Sequence, residues 1–374
     1  MTDLPPILSE YLVSLFGDTP RLAPDVPGQA WLRFLNVLKP HWVIPLLFHR
    51  LGAWDASYRP PPEIWGQMRR FYLMSRARAF QMTTQLQEIR DAFDAASIPF
   101  LVIKGPALAG TVYPDPAVRP ASDIDLLVTP DRMRAARTAL ESIGYQCLDR
   151  RFDTARSFFG DEVFISGEGR SDRRTVELHW DLHRYSGIDR EPGIEDLMDR
   201  SVEASFCSLR FQTLSPVDAL MHRAMNNVFD HDRDLRLIGL YDVLLLAGRL
   251  EAHEWAELKD RSVVWRGRLA VELSLRLTMS LFGLVPPDGD ESFSDWPPPS
   301  SAERRGWRWV NRRYRSPIAY IRLHCPADGG GLAVLRSLLH FAFPAPAYMR
   351  EQFLLTSPRQ LPAAYLKRWL KWFS

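Results

Sequence analysis

Few features of this 374-residue chain point to a scaffold held by anything other than a packed core. It has only three cysteines, Cys147, Cys207 and Cys325, far apart and without any Cys-x-x-Cys spacing. That excludes a disulfide framework and a thiolate zinc site, and it fits a reducing, cytoplasmic location. There is no uninterrupted apolar stretch near the roughly 20 residues needed to span a bilayer. The start, Met1 to Pro6, lacks a basic segment followed by an apolar one, so no signal peptide is expected. Neither charge sign dominates: the net charge is +2, which argues against a nucleic acid as partner, since such binders carry a strong basic excess. Internal repeats and low-complexity tracts are also missing.

What the chain does have is a pair of aspartates in an unusual place. Asp123 and Asp125 flank Ile124 and run straight into Leu126, Leu127 and Val128. Residues two apart on a strand point to one face. Two carboxylates therefore meet at the end of a buried strand, where like charges oppose ionisation. A divalent cation relieves that repulsion, and Mg²⁺ suits one or two carboxylates completed by substrate phosphates. Either charge could then be removed with the fold intact or slightly more stable.

Upstream, Phe100 to Ile103 reads as a strand that breaks at Lys104 and Gly105 and enters a helix at Pro106. Gly105 would permit close approach of a ligand, and a helix N-terminus together with Lys104 favours phosphate. Downstream, Arg174 to Asp181 alternates as a strand does. Val176, Leu178 and Trp180 share one face; Thr175, Glu177, His179 and Asp181 share the other. Glu177 is a candidate third carboxylate and His179 a candidate phosphate donor.

The remaining pattern is coarse. Residues 1–60 suggest short helices, and Pro60 to Pro62 is a break before a long amphipathic helix over 63–97. Pro130 and Asp131 open a helix that ends at Gly144; strands are expected at 145–148 and 163–166, with a turn over 167–173. Ser215 and Pro216 read as an N-cap and first helical residue, after which the periodicity is helical. His222, His231 and Asp232 fall there without metal-ligand spacing. Pro286-Pro287 and Pro297 to Pro299 bracket a linker, and 363–373 forms a short basic amphipathic helix able to touch a membrane surface or a partner.

The order of strand, glycine turn, helix, Asp-x-Asp strand and later acidic strand resembles the DNA polymerase β-like nucleotidyltransferase superfamily. More closely, Lys104-Gly105, Tyr113-Pro114, Arg119-Pro120, Asp123 to Val128, Gly144-Tyr145 and Glu177 to Trp180 resemble its bacterial family of uncharacterised nucleotidyltransferases. The resemblance is good over about residues 85–260. It departs at the turn, where Lys-Gly-Pro replaces the usual Gly-Ser and its phosphate-facing hydroxyl. It implies an α+β fold with a small mixed β-sheet nucleotidyltransferase core, flanking N-terminal helices and a C-terminal helical domain. The expected divisions are residues 1–97, 98–215, 216–285 and a linker with helical extension over 286–374.

The implied activity is metal-dependent transfer of a nucleoside monophosphate from an NTP such as ATP to a hydroxyl or phosphate acceptor: a small molecule, sugar, peptide or protein. Asp123, Asp125 and Glu177 would hold Mg²⁺ or Mn²⁺, with Glu177 completing a second metal site or acting as base. Lys104, Gly105, Arg119, Ser122 and His179 would contact the nucleotide. A His and an Asp recur in that family at the places of His222 and Asp242. The alternatives are a nucleotide-binding protein, a transferase of another group from a nucleotide-activated donor, or a toxin–antitoxin or defence nucleotidyltransferase.

Overall fold

A computed structural model describes residues 4–155, 160–167, 173–182, 192–230, 235–286, 293–310, 335, 339–340 and 342–370. The expectations concerning His231, Asp232, Cys325 and most of the turn over 167–173 lie outside the described residues. Four helices come first: α1 (Pro6–Phe16), α2 (Gly28–Leu38), α3 (Ile44–Ala53) and α4 (Pro62–Ala95). Then β1 (Leu101–Ile103), α5 (Gly105–Thr111), β2 (Ile124–Leu127), α6 (Met133–Ser142), β3 (Gln146–Cys147), α7 (Arg151–Ala155), β4 (Asp161–Ser166) and β5 (Arg174–His179) build the centre. They are followed by α8 (Ile194–Asp199) and a hairpin of β6 (Val202–Phe206) and β7 (Leu209–Thr213). Helices α9 (Pro216–Met225), α10 (Leu237–Ala247), α11 (Ala252–Val264), α12 (Arg268–Phe282), α13 (Ser301–Val310), α14 (Pro346–Gln352) and α15 (Leu361–Leu370) complete the chain.

The α+β class and the small mixed sheet follow the sequence pattern. The main sheet has five strands in the order β1-β2-β5-β4-β3. Only β2 and β5 run parallel; β1 is antiparallel to β2, and β4 is antiparallel to both β5 and β3. The separate β6–β7 hairpin was not resolved by the sequence reading.

Strand periodicity splits the sheet between two cores. Val102, Ile124, Leu126, Val176 and Leu178 face one core, built with the later turns of α4, with α6 and with the hairpin. Leu101, Ile103 and Leu127 face the other, which also takes in α1–α3 and α9–α12. The expected first and third segments therefore bury their apolar faces together: Phe16 packs on Tyr241 and Phe282, with ring centroids 5.8 and 4.8 Å apart. Helix α4 serves both cores, with Ile64 and Met68 in one and Met82, Leu86, Ile89 and Phe93 in the other. At 34 residues it is about 51 Å long, enough to run the depth of the molecule. Pro62 at its first turn fits because the missing N–H would have no helical partner there.

A buried charge cluster joins the sheet to the helices behind it. Asp242, wholly buried on α10, accepts from Arg119 Nε and Nη2, both at 2.9 Å. It also takes the Tyr113 hydroxyl at 2.7 Å and lies 3.0 Å from Arg223 Nε of α9. Burial pulls the Arg119 pKa down, but Asp242 outweighs it and holds the guanidinium more firmly charged than in water. Burial and Asp242 together push the Tyr113 hydroxyl well up. Removing the one carboxylate leaves two buried guanidinium groups without their counter-charge, which typically costs about 3–5 kcal/mol. Asp242→Asn, nearly equal in volume, is expected to lose about that much in urea unfolding, whereas Arg21→Ala, on an exposed ion pair, should lose under about 1 kcal/mol.

Candidate active site

Register brings the carboxylates together. Asp125 on β2 sits opposite Glu177 on the parallel strand β5, and Leu127 sits opposite His179. Paired residues point to one face, so Asp125, Glu177 and His179 converge while their even-numbered neighbours Ile124, Leu126, Val176 and Leu178 go to the core. His179 Nε2 lies 3.1 Å from Asp125 Oδ1 and 3.5 Å from Glu177 Oε2. One ligand atom from each of these three residues falls within 4.8 Å of the other two. Asp123 stands outside that tight group but lines the same cavity, with Ser122 Oγ donating to its Oδ2 at 3.0 Å.

Lys104 bridges the acids. Its Nζ is 2.8 Å from Asp125 Oδ1 and 3.9 Å from Glu177 Oε2. Lys104 has a positive φ, 56° with ψ −119°, and Gly105 is the first residue of α5. A side chain in that region costs of order 1–3 kcal/mol and is kept only where the surroundings demand it. Here it delivers the ammonium to Asp125. Gly105 is needed for a different reason: a Cβ would come 2.9 Å from the Ala121 Cβ, in the loop leading to Asp123. Arg119 lines the cavity while its guanidinium is held by Asp242.

The cavity, about 330 Å³, has its carboxylate floor on the sheet and a basic wall opposite. Arg223 and Asn226 come from α9 and the single π-helical turn that follows it, a distortion often found at functional sites. Arg236 precedes α10, and its guanidinium stacks 4.6 Å over the Trp42 ring. The helical region after Ser215 thus supplies the second wall. Trp42, Arg223, Asn226 and Arg236 were missed by sequence reasoning. Arg223, Asn226 and Arg236 had only a place in the stretch after Ser215 as a local signal, and Trp42 had none. His222 itself is buried beneath the site, lining a small void with Lys104 and Arg223.

The electrostatics follow from this layout. Burial, then Asp125 and Glu177, push the Asp123 carboxyl up to about 7. Burial would raise Asp125 too, but Lys104 and His179 outweigh it and hold that carboxyl well below the usual range. Burial and Lys104 pull His179 down, and its contacts with Asp125 and Glu177 more than compensate, leaving it raised. The donor set is therefore short of positive charge at Asp123, even with Lys104 in place. Two or three carboxylate oxygens and one imidazole form a donor set able to hold a divalent cation.

This small mixed sheet, with acids on adjacent parallel strands facing a basic helical wall, has the layout of a nucleotidyl-transfer site. The sequence model of a family described as an uncharacterised nucleotidyltransferase matches residues 27–283, more than half the chain, and the protein belongs to that family. The match begins at the N-terminal helices that supply Trp42 and ends after α12. No curated protein matches the chain.

The two aspartates should separate in stability. Asp123 binds its proton more tightly folded than unfolded, so its contribution is full below about pH 4 and lost as pH rises through about 7. Asp123→Asn is expected to raise Tm at pH 8 by roughly 1–2 °C, with the gain vanishing at pH 4. Asp125 has the opposite sign: its contribution is present above about pH 4 and lost as the solution is acidified below that. Asp125→Asn should cost about 2–3 kcal/mol at pH 8, because Lys104 and His179 lose a charged partner. Thermal melts from about pH 2 to pH 8 check both.

Proposed function

We propose that the protein transfers a nucleoside monophosphate from an NTP to a hydroxyl or phosphate acceptor, in a divalent-metal-dependent reaction. The observation that carries this is the opposition of charge across one cavity: Asp123, Asp125 and Glu177 on the sheet side, Arg223 and Arg236 on the helical side. Asp125, Glu177 and His179, with Asp123 beside them, would hold Mg²⁺ or Mn²⁺. The metal would neutralise phosphate charge and make the acceptor hydroxyl more acidic.

The chain's own residues account for the rest. Lys104 offsets the repulsion among the acids and presents its ammonium to phosphate oxygens. Arg236, fixed by stacking on Trp42, meets the triphosphate from the other wall. Ser122 orients Asp123, and Arg119 keeps the Asp-x-Asp loop in place through Asp242. In the transfer, the acceptor oxygen bonds to the α-phosphorus and the bond to the α–β bridging oxygen breaks. Pyrophosphate leaves with that electron pair, and the hydroxyl proton passes to Glu177 or Asp123. The two walls keep donor and acceptor aligned and water out.

Incubation with each α-³²P-labelled NTP, Mg²⁺ or Mn²⁺ and a cell lysate should place label on an acceptor, with Asp125→Asn inactive. Transfer by Asp125→Asn at the wild-type rate would end this reading. Glu177→Gln should reduce turnover by about 10²-fold or more with nucleotide affinity little changed, since it acts on charge that develops in the transition state. Lys104→Ala and Arg236→Ala should weaken nucleotide affinity first, since they meet charge already present. Separate measurement of nucleotide Kd and of turnover distinguishes these, and reversed roles would reassign the residues.

A further inference from the structure

A second cavity of about 330 Å³ adjoins the first and shares Trp42 and Pro120 to Ser122 with it. Its walls are different in kind. Phe71, Met74, Ser75 and Arg78 fall at i, i+3, i+4 and i+7 along α4 and so form one stripe of that helix. Trp42, Ile44 and Pro45, at the start of α3, face them. Met74 is 69 % exposed although it stands among other apolar side chains, so the surface it offers is uncovered. The chamber's volume lies in the roughly 300–1,000 Å³ range of small-molecule sites, and its mostly apolar lining with a few polar groups is typical of them.

The polar groups are cationic. Lys39 Nζ is held by Asn36 Oδ1 at 2.8 Å and lies 5.9 Å from the Phe71 ring centroid. Arg78 donates to the Ser122 and Arg173 carbonyls at 2.7 and 3.3 Å, leaving further N–H groups of its fork. Neither forms an ion pair with a carboxylate among the described residues. A nucleobase is read through neutral donors and acceptors, and the uncharged polar side chains available are those of Ser75 and Ser122. Two cations beside an apolar hollow instead complement an anion on an apolar body.

We propose that this chamber is the acceptor site, and that the acceptor is a small molecule with an aromatic body, an anionic substituent and a hydroxyl. The proposal rests on the nucleotidyl-transfer reading. The aromatic body packs between Phe71, Met74 and Trp42, and the anion meets Lys39 and Arg78. The hydroxyl points past Ser122 towards Asp123, the residue next along the chain on the carboxylate floor. Its oxygen bonds to the α-phosphorus, its proton goes to a carboxylate, and pyrophosphate departs with the broken bond's electrons.

Calorimetry with 4-hydroxyphenylacetate, 4-hydroxyphenyl phosphate and tyramine tests the ligand class, the first two separating a carboxylate from a phosphate source. At least one acid should bind the wild-type protein, with the cationic tyramine ten-fold weaker or more. Met74→Asp, on the exposed side of α4, should weaken the acid at least ten-fold and leave Mg²⁺–ATP affinity within two-fold. Lys39→Glu should narrow the gap between acid and tyramine several-fold. Pyrophosphate release from Mg²⁺–ATP should rise with the acid in the wild-type protein and not in Met74→Asp. No binding of either acid, equal binding of tyramine, or unchanged acid affinity in Met74→Asp would overturn the proposal. So would an equal loss of ATP affinity in Met74→Asp, which would make the chamber the nucleobase site. Acid binding as expected, without pyrophosphate release from any NTP, would keep the ligand class and overturn nucleotidyl transfer.

Discussion

Asp242 is the point on which the two halves of the site hang. Its carboxylate is buried on α10 and gathers Arg119 from the loop before the Asp-x-Asp strand, Arg223 from α9 and Tyr113 from the end of α5. A charge so buried is tolerable only when its hydrogen-bonding capacity is used, and here both oxygens are engaged. The consequence is geometric. The loop carrying Ser122 and Asp123 is held at fixed distance from the helical wall that carries Arg223, Asn226 and Arg236. The cavity between them is a product of that clamp, because neither the sheet nor the helices alone would enclose it.

Within the cavity the governing problem is repulsion among acids. Three carboxylates face one way because β2 and β5 run parallel with Asp125 opposite Glu177. Lys104 and His179 offset the charge of Asp125 first, being closest to it, and Asp123 is left to carry the imbalance as a raised pKa. The unfavourable backbone of Lys104 belongs to the same arrangement: the turn after β1 is bent so that an ammonium reaches the acids. A site poised in this way gains from any cation that enters it.

The N-terminal helices change the picture of the catalytic unit. They share a core with α9–α12, and the family match reaches back to residue 27, well before the Asp-x-Asp strand. Trp42 lies between the carboxylate cavity and the apolar chamber beside it and carries the stacked Arg236. No element of the described residues is a helix long and apolar enough to cross a membrane. Helix α14 is tied to the central region by an ion pair of Glu351 with Arg173, just before β5, and by Tyr348, whose ring lies 5.1 Å from the Arg151 guanidinium of α7.

The strands of the main sheet, the long helix α4 and the facing of the acids Asp125 and Glu177 were legible in the sequence, because each is written in a local period: two for a strand, about 3.6 for a helix. The alternation around Glu177 assigned Val176 and Leu178 to the core and Glu177 to the cleft, with His179 on the same face but buried against Asp125 and Glu177. Other features depend on residues far apart in the chain, which no local period records. Arg119 could not be seen to belong to Asp242, 123 residues away, nor Arg236 to Trp42. The close approach of Gly105 to Ala121 and the positive φ of Lys104 were likewise not legible. Periodicity by itself determined which side chains face the cleft; only tertiary packing decided what stands across from them, since charge pairing and enclosure are properties of distance in space.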